Sequence, residues 1–274
     1  MKKQFKNIIF IPGLVFLVIA VVSCEKVIEV DLNEENSKII VEGGISNQHT
    51  ADTIRLSRTG SYFGDNNFQS ITGAEVSVSD NMGKNELLLE VSSGTYVTSE
   101  IKGIPGNSYQ LTVKSDGETI SAGSQMTEPV QIQYLSYREK ERTLGTRQGN
   151  YVTFFFKDPS NERNFYLVKA SGTSVEYNHG SDNFFVVNDD FFDGNNFGIE
   201  IPFCHFNSGI ATVELISIDK NAFDYYKSLN EVINNPGPGA FSGVPQYPTT
   251  SNLTGEALGY FRTFSSSVKS IRIY

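Results

Sequence analysis

The segment Gly73-Ala74-Glu75-Val76-Ser77-Val78-Ser79-Asp80, followed by the turn residues Asn81-Met82-Gly83, decides the fold class. Val76 and Val78 alternate with polar residues, and this period of two is typical of a strand that buries one face. The same alternation recurs about every 8 to 12 residues, with turn residues between the strands, whereas helical periodicity is almost absent. The pattern predicts an all-β protein built from antiparallel sheets.

A boundary between two β regions is predicted at Glu128-Pro129. Proline cannot donate a hydrogen bond to a strand ladder, and it biases the residue before it away from helix. We expect residues 38–128 to form a β-sandwich with short turns and residues 129–274 to form a second β domain. Its last strands are predicted at Ile199–Phe203, Ala211–Ile218, Ala257–Phe261 and Val268–Ile273.

One helix is predicted in the second β domain, near residues 220–234. Asp219 precedes it and can cap its first amide groups. An apolar stripe with a spacing of three to four residues follows, formed by Phe223, Tyr226, Leu229 and Ile233. A stripe of this kind needs an apolar partner surface, so we expect the helix to cover a sheet.

Residues 1–23 are typical of a lipoprotein signal peptide. Lys2, Lys3 and Lys6 precede the apolar run Ile8–Val22, and the run closes on the lipobox Val21-Val22-Ser23-Cys24. We expect cleavage before Cys24 and acylation of its thiol. The alternative is a transmembrane helix, but this run is shorter than the roughly 20 residues that span a bilayer. Residues 24–37 then form the lipidated N-terminus with a short first strand, in which Ile28, Val30 and Leu32 alternate with acidic residues.

Charge and cysteine content exclude several classes of partner and fold. The formal net charge is −9, and removal of residues 1–23, which contain three lysines and no acidic residue, would change it to −12. Such a field repels nucleic acid and anionic lipid surfaces, so neither is an expected partner. Cys204 is the only cysteine besides Cys24, which leaves no intramolecular disulfide. Because Cys204 lies in an apolar stretch, we expect it to be a small buried hydrophobe.

The densest acidic segment after the N-terminal strand runs from Asn188 to Asn196. Asp189, Asp190 and Asp193 are weak candidates for a calcium site, since calcium prefers oxygen ligands on flexible loops. Their spacing does not match an EF-hand. The alternative is a wide solvated turn with Phe191 and Phe192 folded onto the sheet. If they are exposed instead, these two phenylalanines are candidates for contact with a ligand or a partner.

The stretch from Asn235 to Thr254 is predicted to be a long Gly/Pro-rich loop. Loops longer than about 12 to 15 residues are often functional, so Phe241 and Tyr247 are candidates for ligand or partner contact. The alternative is an ordered crossover whose aromatic residues pack onto the helix. The two interpretations are equally compatible with the sequence.

Enzyme signatures are missing from the sequence. The three histidines, His49, His179 and His205, have no metal-ligand spacing. The chain also lacks the nucleophile elbow, the phosphate loop and the H-E-x-x-H motif. We therefore predict that the chain is not an enzyme and that it needs no cofactor, with a carboxylate-based hydrolase as the third hypothesis for its function.

Two resemblances carry more specific expectations. The stretches Gly73–Asp80, Gly94–Tyr96 and Gly106–Val113 resemble a prealbumin-like sandwich, and the closest variety is the regulatory domain of carboxypeptidases. Seven segments carry the second resemblance. In chain order they are Ser23-Cys24-Glu25-Lys26-Val27-Ile28, Ile40-Val41-Glu42-Gly43, Ile54-Arg55-Leu56-Ser57, Gly73-Ala74-Glu75-Val76, Phe191-Phe192-Asp193-Gly194, Leu215-Ile216-Ser217-Ile218-Asp219 and Gly259-Tyr260-Phe261. Through these segments the mature chain from Cys24 to Tyr274 resembles the lipoproteins of domain-of-unknown-function family 4249.

The second resemblance implies an envelope protein of the Bacteroidota, often encoded beside a TonB-dependent outer-membrane receptor. It supplies no catalytic residue. We therefore expect a lipid-anchored envelope protein, at the outer membrane, that assists a TonB-dependent transporter in nutrient uptake by non-catalytic binding. Whether it faces the periplasm or the cell surface stays open. The alternative function is an adhesion or envelope-interaction protein.

Overall fold

The computed structural model describes residues 37–48, 51–59, 68–144, 146–177, 183–234, 248 and 250–274. The signal peptide, Cys24 and the first strand predicted at Ile28–Leu32 lie outside these residues. Asn36–Tyr274 forms one compact unit. Three β-sheets build it, and one helix is inserted late in the chain, so the all-β prediction with a single inserted helix is confirmed for the described residues.

Nine strands of the described chain precede the predicted boundary. They are β1 (Ile39–Ser46), β2 (Thr53–Arg58), β3 (Gln69–Ser70), β4 (Glu75–Asp80), β5 (Asn85–Leu87), β6 (Leu89–Ser92), β7 (Thr95–Val97), β8 (Ser108–Ser115) and β9 (Glu118–Gln125).

Nine strands and the helix follow the boundary in the residues that the structure describes. They are β10 (Ile132–Lys140), β11 (Gly149–Lys157), β12 (Phe165–Gly172), β13 (Val175–Tyr177), β14 (Phe184–Asn188), β15 (Asn196–Glu200), β16 (Cys204–Phe206), β17 (Gly209–Ile218), α1 (Lys220–Asn234) and β18 (Leu258–Ile273).

The first half of the described chain is a sandwich of two sheets. A four-stranded sheet in the order β5-β4-β8-β9 packs against β1, β2 and β7 of the nine-stranded sheet. Apolar side chains at alternate strand positions fill the space between them, as for Val41, Leu56, Val78 and Leu111, each at most 1% exposed. The alternation in the sequence thus identifies the residues that face the core.

The second half repeats this arrangement with another part of the nine-stranded sheet and a different partner sheet. The five-stranded sheet has the order β10-β11-β16-β13, with β15 beside β11. It packs against one face of β12, β17 and β18 through a core rich in aromatic residues, which includes Phe154, Phe156 and Tyr166. The stack of Phe154 on Phe156, with ring centroids 5.6 Å apart, is part of this core.

Helix α1 covers the opposite face of the same strands. Tyr226 and Ala222 pack there with Leu167 and Ile216. The Asp219 carboxylate accepts a hydrogen bond from the Ala222 amide at 2.7 Å, which confirms the predicted N-cap. In the described part of the chain, no helix combines the length and apolarity needed to cross a membrane.

Strand β18 joins the two halves. Its first part pairs in parallel with β1, from Leu258 opposite Ile40 to Phe264 opposite Ser46, and its second part pairs antiparallel with β17. The boundary predicted at Glu128-Pro129 falls between β9 and β10, yet the strands on its two sides share one nine-stranded sheet. The regions predicted as separate domains are therefore parts of one compact unit.

Two strand predictions differ from the structure. Only the first two residues of the predicted strand Ile199–Phe203 belong to a strand, β15, and the other three form the connection to β16. Pro202 lies in this connection and has no amide hydrogen to donate. The predicted strands Ala257–Phe261 and Val268–Ile273 are the two ends of the single 16-residue strand β18.

Candidate functional site

The acidic segment of the sequence forms a compact turn between β14 and β15. The amides of Phe192 and Asp193 donate to the carbonyl of Asp189, at 2.9 and 3.1 Å, and the Asn195 amide donates to the Phe192 carbonyl at 2.9 Å. Gly194 has a φ of 71°, which favours glycine. Local backbone bonds therefore fix the turn, and its side chains are held in defined positions.

Three carboxylates meet at this turn. Asp189 and Asp193 join Asp158, which follows β11, and one oxygen of each lies within 4.8 Å of the others. The predicted residue Asp190 is not part of this group, because its carboxylate pairs with Arg163 at 2.5 Å. The structure thus assembles an aspartate cluster, Asp158, Asp189 and Asp193, that includes two of the three predicted residues.

Asp158 is the buried member that the sequence did not reveal. It is 1% exposed. One carboxylate oxygen accepts from the Tyr166 hydroxyl at 2.5 Å, and the other accepts from the Gly194 amide at 3.1 Å. Burial raises the pKa of the Asp158 carboxyl above its usual range, and the charges of Asp189 and Asp193 add to the rise in pKa, while the hydrogen bonds from Tyr166 and Gly194 oppose it.

The other two carboxylates also accept backbone hydrogen bonds. Asp189 accepts from the Asn164 amide at 2.7 Å, and Asp193 accepts from the Asn161 amide at 3.2 Å. Oxygen ligands at this spacing could hold a hard cation such as Ca²⁺. The same bonds, without a cation, tie the 189–195 turn to the segment between β11 and β12. The geometry therefore supports a structural role, in which the three carboxylates hold the turn in place. A bound cation would use the same oxygens.

The two adjacent phenylalanines of the turn have different environments. Phe192 is buried, stacks on Phe197 with ring centroids 4.7 Å apart, and meets the Phe156 ring edge-on at 5.6 Å. Phe191 is 92% exposed. Phe192 thus belongs to the core of the second sandwich, and Phe191 is the one of the pair that is free to contact a partner.

The loop predicted between Asn235 and Thr254 is described only at its end. Phe241 and Tyr247 lie outside the described residues, as does Cys24. The end of the loop is fixed, because the Asn252 side chain donates to the carbonyls of Gly123 and Phe261, at 2.9 and 2.6 Å. Leu253 is buried in the first sandwich. This end of the loop therefore belongs to the scaffold.

Cys204 and His205 are buried in the second half of the structure. Burial raises the pKa of the Cys204 thiol to about 12, so the thiol stays protonated at neutral pH. His205 Nε2 lies 3.4 Å from a Glu176 carboxylate oxygen, and its ring stacks on Tyr151 with centroids 5.8 Å apart. Both residues support packing of β16, and neither forms a catalytic pair with the other.

A polar groove of about 600 Å³ lies where α1 begins, beside β4, β8 and β9. Its lining includes hydroxyl and amide side chains, such as Ser79, Asn81, Gln110 and Asn221. Ser124 and Asp219 also line the groove, and the Ser124 hydroxyl donates a hydrogen bond to the Asp219 carboxylate at 2.9 Å. Asp80 and Lys220 are further lining residues, and the two carboxylates are already hydrogen-bonded to the protein: Asp80 accepts from the Met82 and Lys84 amides, and Asp219 caps α1.

Comparison with known proteins gives a family and little beyond it. None of the curated proteins matches the chain. Among the solved structures that match is the Yersinia pseudotuberculosis adhesin InvE, at 15% identity and a TM-score of 0.22. The match covers 65% of this chain and 55% of that protein. A family model described as a domain of unknown function, DUF4249, matches residues 25–270, and the chain therefore belongs to this family.

Proposed function

We propose that the chain is a lipid-anchored envelope protein that binds without catalysis and assists a TonB-dependent outer-membrane transporter in nutrient uptake. The observation that carries the proposal is the lipobox Val21-Val22-Ser23-Cys24 at the end of a basic and then apolar leader. Cleavage before Cys24 would leave a diacylglyceryl-modified cysteine. Two acyl chains anchor a protein stably where one would be marginal.

The body that follows the anchor suits a scaffold or a binding module. β18 is hydrogen-bonded along its length to strands of both halves, so the two sandwiches are parts of one sheet system. We propose that the first sandwich is of the prealbumin-like kind, used as a spacer, and that the second half makes the contacts. The chain belongs to the DUF4249 family. The family resemblance implies a gene beside that of a TonB-dependent receptor, and this genomic setting supports the proposed role in uptake.

Phe191, the exposed phenylalanine of the 189–195 turn, is the first proposed contact residue. An aromatic side chain that is 92% exposed offers apolar area without committing any to the core. Phe241 and Tyr247 in the loop are proposed as further contacts. The aspartate cluster beneath Phe191 would then hold the turn in shape for recognition.

Site-specific photocrosslinking in living cells tests the proposal. A photoreactive phenylalanine analogue is placed at Phe191, and the matched control carries it at Phe68, which is 66% exposed and belongs to the first sandwich. We expect a TonB-dependent receptor to be crosslinked from position 191 and not from position 68. Crosslinks from position 191 to host matrix or other envelope polymers alone would favour the adhesion hypothesis and contradict the uptake proposal.

A further inference from the structure

The hairpin that joins β10 to β11 concentrates positive charge in an acidic protein. In the sequence Arg138-Glu139-Lys140-Glu141-Arg142, basic and acidic residues alternate. Successive side chains of an extended strand point to opposite faces. Arg138 and Lys140 therefore share one face of β10, and Arg142 follows two residues after the strand ends. Lys140 and Arg142 line a groove beside the hairpin, whereas Glu139 and Glu141 are not part of its lining.

Two arginines face each other across this hairpin. Lys140 pairs with Gly149, and Thr143 pairs with Thr146. The same register places Arg142 opposite Arg147. Like charges directly opposite each other on paired strands are unfavourable unless something lies between them to neutralise them.

The nearby carboxylate is already neutralised by other cations. Glu200 accepts from Arg138 Nε at 2.8 Å and from Lys140 Nζ at 2.5 Å. Lys140 also lies over the Tyr151 ring, 4.2 Å from its centroid. Among the residues that the structure describes, Arg142 and Arg147 have no carboxylate within 4.0 Å. Two exposed guanidinium groups are thus left without a counter-charge.

Both arginines line one groove of about 450 Å³, together with Thr143, Thr146, Lys140 and Glu200. We propose that this groove binds the phosphate group of a phosphate ester. A phosphate monoester carries a charge of about −1.5 to −2 at pH 7, which matches the two unpaired guanidinium groups. The phosphate oxygens accept hydrogen bonds from the paired N–H groups of each arginine, and the threonine hydroxyls are further, neutral donors.

The groove is larger than a phosphate ion, so part of the esterified group fits inside it. Glu200 is oriented there by Arg138 and Lys140 and can accept a hydrogen bond from a hydroxyl group. This combination favours a hydroxylated phosphate ester. Such a group occurs both on soluble metabolites and on phosphomonoester lipids, and the experiment separates the two sources.

Calorimetric titration of the acylated full-length protein in detergent tests the site. The probe is glycerol 3-phosphate at low ionic strength. We expect binding to the parent, a loss of at least about tenfold in affinity for Arg142→Gln and for Arg147→Gln, and parent-like binding for Arg55→Gln. Arg55 is the matched control because it is exposed, lies in the first sandwich and undergoes the same change of charge.

A second titration uses vesicles that contain phosphatidic acid. The acyl anchor inserts into any vesicle, so vesicles of phosphatidylcholine alone are the control. If phosphatidic acid strengthens vesicle binding by the parent and not by Arg142→Gln or Arg147→Gln, and glycerol 3-phosphate does not bind, the phosphate group belongs to a lipid. Binding of glycerol 3-phosphate alone identifies a soluble ester. If glycerol 3-phosphate does not bind the parent and phosphatidic acid does not strengthen vesicle binding, or if Arg55→Gln loses as much affinity as the hairpin variants, the proposal is wrong.

Thermal melting without phosphate separates a binding role from a structural one. Since Arg142 and Arg147 repel each other, either glutamine variant should melt at or above the temperature of the parent. Glycerol 3-phosphate should then raise the melting temperature of the parent and of Arg55→Gln only. A lower melting temperature for both hairpin variants in phosphate-free buffer would contradict the unpaired-charge account.

Discussion

Phe191 and Phe192 are neighbours in the chain, yet the first is exposed and the second lies in the core. The turn places the first side chain in solvent and the second between Phe197 and Phe156. The sequence indicates both as candidates, because composition cannot distinguish neighbours within an irregular turn. The orientation follows from the backbone hydrogen bonds between Asp189 and Asn195.

Alanine substitution should therefore destabilise the protein strongly at Phe192 and hardly at all at Phe191. Phe192→Ala should lower the free energy of unfolding by about 3 to 5 kcal/mol, the usual cost of emptying an aromatic core position. Phe191→Ala, the matched control, should change it by less than about 0.5 kcal/mol because the side chain is exposed. Urea denaturation followed by circular dichroism measures both. Equal destabilisation by the two variants would contradict the assignment of Phe191 to the surface.

The pKa of Asp158 gives a prediction at the same scale. Because this pKa is raised in the folded protein above the usual 3.8, the folded state binds a proton there more readily than the unfolded chain does. The ionised carboxylate therefore lowers stability at neutral pH, and this cost is relieved as the pH falls through the raised pKa toward 3.8.

Asp158→Asn removes this titration. The variant should be less stable than the parent by about 1 to 3 kcal/mol at neutral pH, because Tyr166 and Gly194 donate to different carboxylate oxygens and the amide replaces one of these acceptors with an NH₂ donor. The stability advantage of the parent should increase as the pH is lowered from about 7 to about 4. Urea denaturation at several pH values checks this. An advantage that decreases on acidification would mean that the folded state favours the ionised carboxylate, as a bound cation would cause.

At the level of elements, β18 is the feature that the sequence pattern describes least well. Ser265, Ser266 and Ser267 interrupt its apolar alternation, which therefore predicts two strands with a gap between them. All three serines are buried and hydrogen-bonded. The Ser265 hydroxyl donates to the Thr127 carbonyl at 2.7 Å, and the Ser267 hydroxyl accepts from the Ile132 amide at 3.1 Å. Ser265 and Ser267 thus satisfy backbone groups between β9 and the start of β10, and the Ser266 hydroxyl accepts from the Gln48 side chain at 3.0 Å.

The parallel pairing of β1 with β18 depends on glycine. Gly259 has a φ of 96°, and a Cβ added there would lie 2.1 Å from the Val41 carbonyl oxygen. Val41 and Gly259 are register partners. They belong to two of the segments on which the family resemblance of the sequence rests. Segments that are more than two hundred residues apart in the chain thus meet at one position.

Gly259→Ala should accordingly destabilise the protein by about 2 to 5 kcal/mol, from backbone strain and a clash with backbone that cannot move aside. The control is Gly117→Ala, where φ is 81° and no atom lies within 4 Å of the added Cβ. This variant should cost about 1 kcal/mol, from the strained φ alone. Thermal and urea denaturation compare the two. A similar cost for both would mean that the close approach of β1 and β18 does not contribute to stability.

For the molecule as a whole, local pattern predicts the elements and misses how distant segments combine. Strand alternation identifies β4 and β8, and Asp219 with its apolar stripe identifies α1, because these signals lie within a few neighbouring residues. Asp158 meets Asp189 across 31 positions, and Arg142 meets Arg147 only after the hairpin register is known. The local acidic segment therefore predicts Asp189 and Asp193 but not Asp158, and no local pattern predicts the pair of arginines.

The proposed function requires that Cys24 carries the lipid anchor, and metabolic labelling with an alkyne fatty acid measures this modification. The parent should be labelled and sediment with membranes. Cys204→Ala, which removes the only other cysteine, should behave in the same way, because that thiol is buried and protonated. Cys24→Ala should be unlabelled and either uncleaved or released from membranes. An unlabelled parent, or a Cys24→Ala variant that still carries the label, would contradict the account.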